Sequence, residues 1–148
     1  MIKYALLKLK LTRKLNCSFP IVMPPLGDKG DAKLVSSVAN NSGIGFIGSS
    51  LGFQDSNFLK FKNYEIKELE NLMHKVRSLV CNDKHIGIGL ISENFDSNKQ
   101  SLNSILSLYP KNIWFSGYDL ESFCDFTRQK NPDIKIFLQV HSNNNFTK

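Results

Sequence analysis

Phe19-Pro20-Ile21-Val22-Met23-Pro24-Pro25-Leu26-Gly27, followed after a helical stretch by Gly43-Ile44-Gly45-Phe46-Ile47-Gly48, decides the fold. Pro20 to Met23 is continuously apolar, the composition of a strand covered on both faces. Pro24 and Pro25 each fix φ and remove a backbone donor, so the strand stops there. Ala32, Leu34, Val35, Val38 and Ala39 predict an amphipathic helix over Asp31 to Asn40, ended by Asn40-Asn41-Ser42-Gly43. Gly43 to Gly48 then reads as a second strand. Strand, stiff turn, helix and strand form a βαβ unit, which implies a parallel sheet with a ligand site at the carboxyl ends of its strands. Function is therefore to be sought around Pro24 to Gly27.

Gly43 to Gly48 also matches the dinucleotide pattern G-x-G-x-x-G. That pattern binds pyrophosphate when it leaves a strand and opens a helix, and here the order is reversed. The glycines are better read as places where backbone or a ligand approaches a strand closely.

Outward from this unit, Ser49 to Asn63 is a long polar loop, as suited to a lid over a site as to a plain surface insertion. Ile66, Leu69, Met73, Val76 and Val80 predict a helix over Tyr64 to Val80, with His74 structural on it, and Ile86 to Ile91 a third strand. Ser97-x-x-Gln100 is a capping-box signature for a helix facing Leu102, Ile105 and Leu106 inward and closed by Pro110. Ile113-Trp114-Phe115 is a fourth strand, whose end, Ser116-Gly117, is a second candidate ligand loop. A helix over Asp119 to Lys130 burying Leu120, Phe123 and Phe126 precedes a fifth strand, Ile134 to Val140. Five strands and four helices in strict alternation suit a (β/α) barrel or a doubly wound sheet.

The 148 residues are 41% hydrophobic, ordinary for one globular domain. No apolar run reaches the ~18 residues of a membrane span. A net charge of +6 arises from basic residues spread along the chain and concentrated before Asp28, at Lys3, Lys8, Lys10, Arg13 and Lys14. Without aromatics interleaved in a basic patch, this describes a solvated face and not a nucleic-acid site. A basic, acid-free start is also found in mitochondrial transit peptides. Leu7-Lys8-Leu9-Lys10-Leu11 instead alternates like a strand and the segment lacks serine before Ser18, which favours the cytoplasm. That alternating leader is expected to add an edge strand or to cover a barrel floor. Cys17, Cys81 and Cys124 lack metal-ligand spacing and read as small buried hydrophobes; His74, His85 and His141 are equally scattered, so no metal site is expected.

Thr12-x-x-Leu15-Asn16-x-x-x-Pro20-Ile21-Val22, Pro24-Pro25-Leu26-Gly27 and Leu34 to Gly48 together resemble the opening of the nitronate monooxygenase family, formerly the 2-nitropropane dioxygenases. The family run reads approximately PI-x-x-x-PM-x-G, then LAAAVSNAGGLGFIG. His85-Ile86-Gly87-Ile88-Gly89-Leu90 and Lys135 to Val140 resemble its third strand and its KVFVQV strand, and Pro110 to Phe115 looks especially like fungal members.

The resemblance implies a partial (β/α)8 TIM barrel, with residues 1–11 a leader and residues 12–148 the amino-terminal part of the barrel. It implies FMN as cofactor, and an alkyl nitronate and O2 as small-molecule substrates, with no nucleic acid and no membrane. Carried over residue by residue, Pro25, Leu26 and Gly27 would make backbone contacts to the flavin, Gly89 would lie under it, and Gln139 would hydrogen-bond it. Pro25 and Leu26 depart from the family's small residue and methionine. The family's catalytic histidine stands in an AGGH loop after a sixth strand, and its phosphate loops come later still. Since eight βα units need ~250 residues, the expectation is a barrel truncated after its fifth strand, inactive alone and open at its edge to association. A non-catalytic remnant and an enoyl-acyl carrier protein reductase are the alternatives. His141, just past the fifth strand, reads as a solvent-facing loop residue.

Overall fold

The computed structural model describes residues 10–26, 31–49, 62–92 and 95–140. Five strands, β1 (Val22–Met23), β2 (Ile44–Ser49), β3 (Ile86–Ser92), β4 (Asn112–Gly117) and β5 (Lys135–Gln139), form one sheet in sequence order. Every neighbouring pair is parallel, and the sheet curls into a half-barrel, a partial (β/α)8 architecture. Helices α2 (Ala32–Asn40), α3 (Lys62–Leu79), α4 (Phe95–Leu106) and α5 (Leu120–Lys130) connect the strands, and α1 (Lys10–Leu15) precedes them.

Side chains alternate across a strand, and the alternation sorts the core into two layers. Ile47, Ile86, Ile88, Leu90, Ile113 and Phe115 face the helices, where Val35, Met73, Val76, Leu102, Ile105 and Phe123 complete the main core. On the concave face Phe46 meets Trp114 and Phe137 edge-on at 5.5 and 5.0 Å between ring centroids. A Cβ on Gly45 would stand 2.7 Å from the Val35 carbonyl oxygen, so this glycine lets α2 lie directly on β2. The G-x-G-x-x-G run is strand, and close approach of a helix backbone accounts for its central glycine.

Helix α2 begins where expected: the Asp31 carboxylate caps it by accepting from the Leu34 N–H at 2.7 Å. Its inward stripe runs through Ala32, Val35, Ser36 and Ala39, leaving Leu34, expected inside, 42% exposed. Helix α4 begins at Phe95, so Ser97 lies within the helix and is not its cap. Phe95 sets that earlier start by packing edge-on against Phe123 and Phe126 at 5.3 and 5.5 Å.

Of the alternating stretch Leu7 to Leu11, residues 7–9 lie outside the described residues, while Lys10 and Leu11 open a helix, Lys10–Leu15. This helix covers the floor, the amino ends of the strands. Leu15 and Cys17 pack on Ile44 and Phe46, the Lys135 ammonium donates to the Leu15 carbonyl at 2.9 Å, and His85 Nε2 lies 2.8 Å from the Asn16 carbonyl oxygen. Of the cysteines, Cys17 is buried, Cys124 half-buried and Cys81 exposed, so the expectation of three buried thiols fails at Cys81, which follows the end of α3. Of the loop expected over Ser49 to Asn63, Ser49 ends β2 and Lys62 and Asn63 open α3, and residues 50–61 lie outside the described residues.

Candidate functional site

The carboxyl ends of parallel strands are where backbone groups and loops converge on a ligand. Here that rim is built from Pro24 to Leu26 after β1, Ser116 to Asp119 at the end of β4, and Gln139 at the end of β5. Pro24 and Leu26 are exposed and Pro25 is half-buried. Since prolines have no N–H, this segment offers three carbonyl acceptors but only the Leu26 N–H as a donor. Gly27 lies outside the described residues, as does His141.

Gly89 sits on the concave face of β3, in register with Gly48 on one side and Trp114 on the other. A Cβ built on it would overlap the Pro25 ring, meeting Pro25 Cγ and standing 2.5 Å from Pro25 Cβ. Two residues placed at the site by the sequence are thus in direct contact, and the proline ring fills the space that the missing side chain leaves. Gln139 is exposed. It lies on the concave side by alternation with Phe137 and in register with Ser116. From Gly89 it is two strands away.

The β4 rim carries backbone outliers. Gly117 has φ 126° and Asp119 φ 51°, both in the left-handed region that glycine tolerates and most residues avoid. Asp119 precedes α5 without capping it, and its carboxylate instead accepts from the Ser122 hydroxyl at 2.6 Å. Tyr118 between them is 74% exposed. Ser116-Gly117 closes β4, and Asp is among the few residue types other than glycine that tolerate the left-handed region Asp119 adopts.

A second polar group, missed from sequence, lies under the floor. Asn112 is fully buried, and its amide nitrogen donates to the carbonyls of Lys84 at 2.9 Å and Ile86 at 2.8 Å. Its Oδ1 has no protein partner. Buried amides have to satisfy their hydrogen bonds, so an Asn opening a strand next to Lys135 in register was the available signal. Asn112 clamps the turn before β3 to the sheet, as His85 and Lys135 clamp the end of α1, and all three stand at the end of the barrel that serves stability and not chemistry. Burial raises the thiols of Cys17 and Cys124 above their ordinary range, with Lys135 pulling Cys17 partly back.

No known family's sequence model matches this chain, and no curated protein matches it. The geometry therefore carries the reading.

FMN, the cofactor that the resemblance implies, can be tested against the rim. Its pyrimidine edge needs both donors and acceptors, which the Pro24 to Leu26 carbonyls, the Leu26 N–H and the Gln139 amide offer. The flat ring's place over Gly89 is filled by Pro25. No Lys or Arg stands among the described rim residues to hold a phosphate, and the Asp119 carboxylate there is unfavourable to one. FMN as a whole does not fit the concave face of these five strands. Among the described residues, no cluster of three or more His, Cys, Asp or Glu could hold a metal, and no helix is long and apolar enough to cross a membrane.

Proposed function

We propose that these five strands and their four connecting helices are the amino-terminal part of an FMN-dependent barrel of the nitronate monooxygenase kind, and that alone they are non-catalytic and hold flavin only weakly. The family reaction converts an alkyl nitronate and O2 into a carbonyl compound and nitrite, with FMN as electron carrier. One observation carries the reading: an all-parallel sheet wound in sequence order, whose first strand ends at the carboxyl rim in the Pro24-Pro25-Leu26 turn. The described rim supports the second half of the proposal. Its one carboxylate is engaged by Ser122, it holds no histidine, and it holds no cation for a phosphate. General acid–base work needs a titratable group within reach of the substrate's proton, and the described residues bring none over Gly89.

The test is a titration of the purified protein with FMN and with riboflavin, which lacks the phosphate. Both are expected to bind equally weakly, and ethyl nitronate to cause no oxygen uptake above background. A protein that keeps stoichiometric FMN through gel filtration, or consumes oxygen with the nitronate, overturns the non-catalytic part. A protein that binds neither flavin at any attainable concentration overturns the flavin part.

A further inference from the structure

We infer that the Pro25 ring is the group that keeps a flat ring off the concave face of this half-barrel, by occupying the seat that Gly89 leaves bare. The inference rests on the flavin reading above and adds what sets the affinity. Gly48 and Gly89 are paired across β2 and β3, so two adjacent positions of the concave face carry no side chain. Trp114 on β4 walls that gap on the next strand, and its indole is stacked on Phe137 with an interplanar angle of 8°. A shallow apolar gap, flanked by an aromatic wall and below a rim of carbonyls, is shaped for a planar heteroaromatic ligand. The gap is filled from within the chain: Pro25 Cγ and Cβ are the atoms that a Cβ on Gly89 would strike first.

Proline holds this seat without a competing cost. The pyrrolidine is rigid, so the ring loses almost no side-chain entropy on packing, whereas a ligand entering the same place pays for its own immobilisation. A ligand also has to displace a tethered group whose local concentration is high. Removing the ring should tighten binding of any flat ring at this place, with or without a phosphate, because nothing in the seat touches a phosphate.

Trp114, the chain's single tryptophan, gives the experiment a local readout. A flavin lying over Gly89 sits beside its indole, and stacking quenches the flavin's emission. FMN and riboflavin are titrated by that quenching into the parent protein, Pro25→Gly, Pro25→Ala, and Pro25→Gly combined with Gly89→Ala. Urea unfolding midpoints confirm that each variant is folded. Pro25→Gly is expected to bind both flavins at least about tenfold more tightly than the parent, a change of about 1.4 kcal/mol. Pro25→Ala, which keeps the Cβ at 2.5 Å from the Gly89 position, should fall between them. Gly89→Ala should return the double variant to parental affinity.

Equal binding by the parent and Pro25→Gly overturns the inference while leaving the flavin reading in place. A gain that Gly89→Ala does not reverse also overturns it, because loosened backbone and not the vacated seat would then be the cause. Failure of every variant to bind either flavin overturns both.

Discussion

Phe46 is fully buried although it stands on the concave face, where a half-barrel leaves its strands least covered. Its ring reaches that depth because Gly87, its register partner, has no side chain: a Cβ there would lie 2.5 Å from Phe46 Cε1 and 2.7 Å from the Asn112 carbonyl oxygen. The aromatic cluster with Trp114 and Phe137 forms over that notch. Phe46→Ala is expected to cost about 3–5 kcal/mol through lost burial and the cavity left behind. Gly87→Ala should cost about 1–3 kcal/mol by overpacking. In the Phe46→Ala background the second change should be cheaper, because the ring it strikes is gone, though the clash with the Asn112 carbonyl remains. Urea denaturation of the four proteins gives the cycle, and strictly additive losses would show that the ring and the notch are not coupled.

At the scale of elements, α1 is the piece that only the assembled sheet can explain. Six residues are too few for a helix to hold itself in water, and this one has no acidic residue in its first turn, although Arg13 and Lys14 suit its carboxyl end. Its last turn is held from outside: Leu15 is buried, and the Lys135 ammonium reaches the Leu15 carbonyl from a strand 120 residues away. Lys135→Met removes that charged donor and should cost about 1.5–3 kcal/mol, felt first as faster hydrogen exchange of α1 and the turn at Asn16. Exchange that stays slow in α1 would show that the apolar contacts of Leu15 and Cys17 suffice. The same logic separates what could be read from the residues. The apolar spacing of Leu69, Met73 and Val76, or of Leu102 and Ile105, fixes a helix and its inward face from local information alone, and those residues are buried. Residues 10–15 are too few to show a period of their own, and contacts with Lys135 and His85, distant in sequence, hold them as a helix. At the rim, the two prolines announced the end of β1 plainly. That Pro25 would fold onto Gly89 depends on a contact distant in sequence, and no local pattern encodes it.

At the scale of the whole molecule, β1 and β5 are the outer strands of the sheet among the described residues, and these two edges differ. β1 contributes two residues and β5 contributes five. The Lys135 N–H donates to the Lys111 carbonyl at 3.1 Å, so by alternation Phe137 and Gln139 also point their N–H groups toward β4, while Ile136 and Leu138 point theirs outward. Among the described residues that row has no partner strand, and such a row is a template for another strand. A second copy is expected to pair with it in antiparallel register about Phe137, which would oppose Lys135 to Gln139 and Ile136 to Leu138 and place no like charges across from each other. Parallel pairing in register would instead set Lys135 against Lys135. Each copy carries a net charge of +6, so long-range repulsion opposes the encounter and salt should relieve it. Sedimentation equilibrium is expected to find a dimer fraction that grows with protein concentration. It should also grow as salt rises from about 10 mM to about 100 mM, where the screening length falls from about 30 Å to about 10 Å. Leu138→Pro deletes one outward donor while leaving the β4 ladder intact, so it should weaken the dimer without breaking β5 from β4. A chain that stays monomeric at every salt concentration, or a Leu138→Pro variant that associates like the parent, would place the contact elsewhere and leave the edge of β5 without a role in assembly.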